Sequence, residues 1–180
     1  MAFLENLETG KAAESAIARW LIRKGHSVLP VYEKIIDEGK GPQLFTLQGG
    51  IVAPDMVVFT ANKILWVEAK HKTAFTWWRK GQVFETGMDL RHYEHYQEVA
   101  KKTALPVWLL FLHKGGQAVD SPPSPAGLFG NELAILQRNE SHRSTQWGKS
   151  GMVYWSREGD GGALKTIALY EEIILTKNNP

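Results

Sequence analysis

Between Ile51 and Ala69 the chain carries two runs rich in β-branched and other apolar residues, IVAPDMVVF and KILWVEA, on either side of the short polar break Thr60-Ala61-Asn62. No other stretch restricts the fold as strongly, because two such runs joined by a tight break predict an antiparallel β-hairpin. A two-residue turn at Ala61-Asn62 and a four-residue loop from Thr60 to Lys63 both set Thr60 opposite Lys63, so the numbers of paired residues sum to 123. Asp55 and Glu68 satisfy that sum. They are expected to face each other with Cβ atoms about 5 Å apart, and Lys70 to share their side because side chains alternate with period two.

Two acids directly opposite each other in an apolar hairpin cost stability unless a positive charge compensates them. A divalent cation is the expected compensation. The chain has no cysteine, so thiolate sites are excluded and oxygen donors favour a hard ion. Mg²⁺ takes one or two protein carboxylates, retained waters and a substrate phosphate, which matches Asp55 and Glu68, with the Ala69 carbonyl as a further oxygen. Lys70 beside them could orient the attacking water, lower its pKa or stabilise charge on a phosphorane-like transition state. The reaction class this chemistry points to is phosphodiester hydrolysis.

The flanking sequence predicts an α/β core. From Thr9 to about Lys24, Ala13, Ile17, Trp20 and Leu21 fall at helical spacing and Gly25 stands at a C-cap position. Ser27 to Glu33 reads as a strand whose Pro30 suits a sheet edge, EKIIDEGKGPQ as a loop, and Gln43–Leu47 as a short strand before a turn at Gly49-Gly50. Residues 71–88 have no clean period and predict an elaborated loop or short hairpin. Asp89 is placed to cap a helix with Leu90, Tyr93, Gln97 and Ala100 along one side, and Val99 beside it. PVWLLFLH is the continuous apolar run of a strand covered on both faces. After Lys114, LFGNELAILQ predicts a short strand or helix, and GMVYW and ALKTIALYEEI two further strands appended to one domain.

Composition adds bounds. With 180 residues, 43% hydrophobic and 22% charged, the chain is expected to be one globular domain rather than a disordered or fibrous one. No apolar run approaches a bilayer span, and the first residues carry acids where a signal peptide is basic. A cytoplasmic protein without membrane association is expected. The net charge of +2 is too mild to identify a polyanionic partner.

Pro54-Asp55, the thirteen residues from Asp55 to Glu68, and Glu68-Ala69-Lys70 closing a hydrophobic strand resemble the PD-(D/E)xK nuclease superfamily, which includes restriction endonucleases, archaeal-type Holliday junction resolvases and phage exonucleases. The resemblance covers roughly Leu7 to His113. It implies a restriction endonuclease-like core, a mixed central β-sheet flanked by helices in αβββαβ order, with residues 114–180 as a β-rich C-terminal extension. It also implies a prokaryotic or phage-encoded deoxyribonuclease dependent on Mg²⁺ or Mn²⁺, leaving 5′-phosphate and 3′-hydroxyl ends. Asp55 and Glu68 match the metal ligands and Lys70 the catalytic lysine. Glu14 matches the first-helix acid that many members use for a metal-linked water or a second cation. The following helix often adds a polar residue, for which His92, His95 and Tyr96 are candidates; the Gln-x-x-x-Tyr pattern of one exonuclease branch is missing from it.

The main reading is a DNA endonuclease. A junction resolvase, acting as a homodimer on branched DNA, and a catalytically silent nucleic-acid-binding module are the alternatives. In HKTAFTWWRKGQ the cations Lys72, Arg79 and Lys80 and the ring of Trp77 suit backbone contact and base stacking, while the tryptophans there also suit core packing. His92 and His95, three residues apart, together with His113 form a further set, a zinc site that needs all three to converge.

Overall fold

The first helix ends by a backbone device that the sequence announces. In the computed structural model, which describes residues 2–31, 42–117, 121–146, 148 and 150–174, with side chains from Lys11 onward, helix α1 spans Ala2–Arg23. It therefore begins earlier than the spacing from Thr9 predicts. Gly25 adopts φ +86°, its N–H donates to the Ile22 carbonyl at 2.9 Å, and the His26 N–H donates to that of Leu21 at 3.2 Å, the paired bonds of a Schellman cap. Ala13, Ile17, Trp20 and Leu21 are buried. Each of the two larger aliphatic side chains contributes about 1.5–3 kcal/mol of burial.

Strand β1, Ser27–Pro30, lies at a sheet edge, where the missing N–H of Pro30 breaks no ladder. The expected continuation to Glu33 and most of the following loop fall outside the described residues. Strands β2, Gln43–Thr46, and β3, Gly49–Val52, form a separate hairpin. Its turn is at Leu47-Gln48 rather than Gly49-Gly50. The Thr46 hydroxyl closes it early, accepting from the Gln48 N–H at 3.2 Å and donating to the Gly49 carbonyl at 2.9 Å.

The run Ile51–Phe59 is also divided, because β4 starts only at Met56 and ends at Phe59. Pro54 supplies no N–H, and the chain around it is held by other bonds: Ala53 N–H to the Pro42 carbonyl and Val31 N–H to the Asp55 carbonyl, each at 2.8 Å. Strand β5, Ile64–Lys72, pairs antiparallel with β4 in the register Met56↔Val67 to Phe59↔Ile64, and these numbers sum to 123. Thr60 binds the turn through its own N–H to the Lys63 carbonyl at 2.9 Å and its hydroxyl accepting from the Lys63 N–H at 3.1 Å.

Residues 71–88 complete β5 and then form β6, Thr76–Trp78, and β7, Val83–Asp89, an antiparallel hairpin. Helix α2, Leu90–Thr103, is capped by the Asp89 carboxylate, which accepts from the Arg91 N–H at 3.0 Å. It buries Tyr93, Tyr96 and Val99, so Tyr93 and Val99 of the expected set reach the core, Leu90 and Ala100 pack against it partly buried, and Tyr96 is the buried residue that the expected line did not include. Strand β8, Val107–His113, pairs parallel with β5, and the connection through α2 is the crossover that parallel pairing requires.

The tail supplies β9, Gly127–Glu132; α3, Leu133–Arg138; β10, His142–Ser144; β11, Met152–Ser156; β12, Lys165–Ala168; and α4, Tyr170–Ile174. LFGNELAILQ is thus both strand and helix, and the last predicted strand ends at Ala168 and turns helical. Among the described residues the central mixed sheet has the order β1-β4-β5-β8-β9-β12, and a second sheet the order β10-β11-β7-β6. One apolar layer joins α1 to the central sheet; the other joins that sheet to α2 and the inner face of the second sheet. No helix of the described residues is long and apolar enough to cross a membrane.

Candidate functional site

Alternation along β5 assigns its side chains to the two layers. Leu65, Val67 and Ala69 pack with Ala13 and Ile17 of α1, whereas Trp66 packs with Tyr93, Tyr96 and Val99 of α2. Glu68, Lys70 and Lys72 follow Trp66 onto the α2 face. The strand is held in place by β4 on one side, by β8 on the other, and by the Trp66 indole N–H donating to the Thr103 hydroxyl at 3.2 Å.

Asp55 stands one step before β4, so the hairpin register continues to it opposite Glu68. Its Oδ2 accepts from the Ala69 N–H at 2.8 Å. In an extended strand the carbonyl of the same residue leaves on the same side, so the Ala69 oxygen opens toward Asp55. Glu68 is 1% exposed and ion-pairs with Lys70. Glu14, half-buried on α1, joins the same charges from the other layer.

The titration shifts express this crowding. Burial, then repulsion from Glu68, pushes the Asp55 carboxyl up to about 8, against the opposing influence of Lys70 and the Ala69 N–H. Burial, then Glu68, also raises Glu14. Burial works against the Lys70 charge, yet Glu68, Asp55 and Glu14 outweigh it and hold the ammonium above its ordinary range. On α2, the Tyr96 hydroxyl is raised by burial and by the negative charges of Glu68 and Asp55. His92, whose ring stacks with Tyr96 at 6.4 Å between centroids, is lowered by burial and by Lys70. Glu14, Asp55, Glu68, Lys70, His92 and Tyr96 therefore form one electrostatic unit.

Three carboxyls against one ammonium leave the unit short of positive charge, which is the condition a hard cation relieves. Among the described residues no three His, Asp or Glu side chains converge tightly enough to hold a metal by themselves. Two carboxylates and a carbonyl, with water completing the shell, are what Mg²⁺ takes from a protein, so the donor set fits that ion.

Other candidates lie elsewhere. The His95 Nδ1 accepts from the Val52 N–H at 3.3 Å and so pins the β2–β3 hairpin to α2. His113 is fully buried and stacks on Phe75 at 3.7 Å; it does not gather with His92 and His95, which removes the zinc reading. The residues of the expected nucleic-acid set fall in different settings. Lys72, half-buried, donates to the Gly87 carbonyl at 2.6 Å and so ties the central sheet to β7, and burial followed by Lys70 lowers its ammonium to about 8. Trp77 turns inward, edge-on to Phe84 at 4.8 Å. Arg79 and Lys80 are exposed in the β6–β7 turn. The next ring, Trp78, is 38% exposed; inward and outward positions alternate here because β6 is a strand.

Neither a protein-family model nor a curated protein matches the sequence. Among solved structures the chain is similar to Hjc, a Holliday junction resolvase from the archaeal hyperthermophile Archaeoglobus fulgidus, with a TM-score of 0.49 and 10% sequence identity over 80% of this chain and 86% of that one.

Proposed function

We propose that this protein is a divalent-metal-dependent DNA endonuclease. The observation that carries the reading is the meeting of Asp55, Glu68 and Lys70, from opposite strands of one hairpin, in a buried cluster with surplus negative charge. Leaving out the β2–β3 and β6–β7 hairpins, the first half of the chain runs α1, β1, β4, β5, α2, β8, the αβββαβ order of the restriction endonuclease-like core, with the chain read as one domain.

Asp55, Glu68 and the Ala69 carbonyl would hold Mg²⁺ or Mn²⁺, which when bound supplies Lewis-acid polarisation of a phosphate oxygen and acidifies water. Lys70 keeps its proton at Nζ through the acids around it, and so presents a fixed positive charge where the phosphate gains negative charge. Glu14 accepts a hydrogen bond from the attacking water on the α1 side. Tyr96 keeps its phenolic proton and offers it as a donor, while His92, held neutral by burial and Lys70, closes the site on the α2 side. Arg79, Lys80 and Trp78 would meet the DNA beyond the cleft.

The test is a cleavage panel with Mg²⁺ and with Mn²⁺ over duplex, flap, single-stranded and four-way-junction DNA. Metal-dependent nicking that disappears in Asp55→Ala is the expected result; full activity in that variant, or binding without cleavage on every substrate, overturns the proposal, the latter in favour of a silent binding module. The second reading is a junction resolvase, the activity named for the archaeal protein described above, and it predicts symmetric cuts in the four-way junction by a two-fold dimer.

A further inference from the structure

Two lysines on one face of β5 stand in opposite electrostatic settings. Lys70 ion-pairs with Glu68, and the acids around it hold its ammonium above the ordinary range. Lys72, the next residue along that face, has no carboxylate partner among the described residues; burial and the charge of Lys70 lower its ammonium to about 8. Directly opposite it on β8 is His113, fully buried, which burial and then Lys72 keep neutral. Lys114, just past the end of β8, adds a further cation, and it and Lys72 both act on His71. The α2 face of β5 therefore passes from surplus negative charge at Glu68 to uncompensated positive charge at Lys72.

An amine held against both burial and a like charge calls for an anion, and its placement selects which one. One N–H of the Lys72 Nζ donates to the Gly87 carbonyl at 2.6 Å, which sets the direction of the side chain and leaves two of a lysine's three donors for a ligand. The side chain is half-buried rather than enclosed. Two residues of strand separate Lys70 from Lys72 by about 6.6 Å. Successive phosphates of one DNA strand advance about 3.4 Å along the helix axis and lie farther apart in space because the backbone winds around it, so the two ammoniums suit adjacent phosphates. We propose that Lys72 binds the phosphate adjoining the scissile one, so that the cleaved strand runs along β5 from the acidic cluster toward Lys72. The inference rests on the nuclease reading and deepens it: the metal and Lys70 take one phosphate, and Lys72 sets the register of the strand upon them.

The experiment maps the cut made with Mg²⁺, then replaces one phosphate at a time around it by a neutral methylphosphonate and measures binding of each DNA to the full chain in a calcium buffer. For the wild-type chain, the replacement one position from the cut should weaken binding about tenfold, the loss expected for one charge-assisted bond. In Lys72→Met, unmodified DNA should bind about tenfold more weakly, with a logarithmic salt dependence about one unit shallower. The same methylphosphonate should then cost nothing further. Lys72→Arg, which keeps a cation, should restore sensitivity to it. A lysine that only braced β7 would give a different pattern, because Lys72→Met would weaken unmodified and modified DNA alike and the methylphosphonate would keep its full effect. That pattern overturns the proposal and leaves the nuclease reading standing, as does a wild-type chain indifferent to every methylphosphonate beside the cut, a measurement that needs no variant to fold. A wild-type chain that cuts no DNA overturns both.

Discussion

Glu68 of β5 and Glu85 of β7 are each 1% exposed, yet their surroundings differ in kind. Glu85 has the partners of a structural acid: the His142 Nδ1 at 3.4 Å and the Ser156 hydroxyl, which donates to its Oε1 at 3.4 Å. None of these is another carboxyl group. The His142 ring that covers it is stacked between Tyr154 at 4.6 Å and Trp78 at 5.5 Å. Glu68 has Asp55 and Glu14 as neighbours and one lysine to balance them. Burial of an acid is thus a poor guide to function by itself; the informative feature is burial beside like charge that the protein leaves uncompensated.

The sharpest way to break this comparison is Asp55→Ala, which should lower metal-dependent DNA cleavage on the order of 10³-fold or more, since several kcal/mol of charge stabilisation are lost. DNA affinity, measured in a calcium buffer, should be largely retained. Glu14→Gln removes a charge from the edge of the same cluster and should lower the cleavage rate by roughly 10–100-fold, read from single-turnover kinetics. A smaller effect tests the surplus charge without any substrate. Because the folded chain keeps the Asp55 proton up to about pH 8 while the unfolded chain releases it near the ordinary carboxylate value, raising the pH between those limits favours unfolding. In EDTA, the melting temperature should fall across that window, and Asp55→Asn should flatten the fall and stabilise the protein by on the order of 1–2 kcal/mol at neutral pH. The smallest effect belongs to the contrasting site: Glu85→Gln should cost about 1 kcal/mol of stability in a urea titration and leave cleavage unchanged. Cleavage lost equally in the Glu85 and Asp55 variants would erase the distinction.

Much of the acidic cluster is legible before folding because its members are near one another in the chain. The Thr60–Lys63 turn sets the register of β4 and β5, and that register alone aligns Asp55 with Glu68. The Gly25 cap and the Asp89 cap are legible for the same local reason. The rotation of α2 is not: Tyr96 and His92 face the acids, and His95 faces Val52, only because Tyr93, Tyr96 and Val99 are the residues that the sheet covers. Lys72 reads as a surface cation until β7 brings the Gly87 carbonyl to it.

The amino-acid sequence by itself determined the hairpin, its register and the alternation that puts Asp55, Glu68 and Lys70 together, since turn closure and strand geometry act over a few residues. Tertiary structure decided which layer each strand face would meet: that β11 from the tail would pair with β7, that β9 and β12 would extend the central sheet beyond β8, and that Lys72 would meet the Gly87 carbonyl of β7. Those outcomes depend on contacts between segments far apart in the chain, whose loop-closure entropy is offset only when the whole apolar interior is assembled.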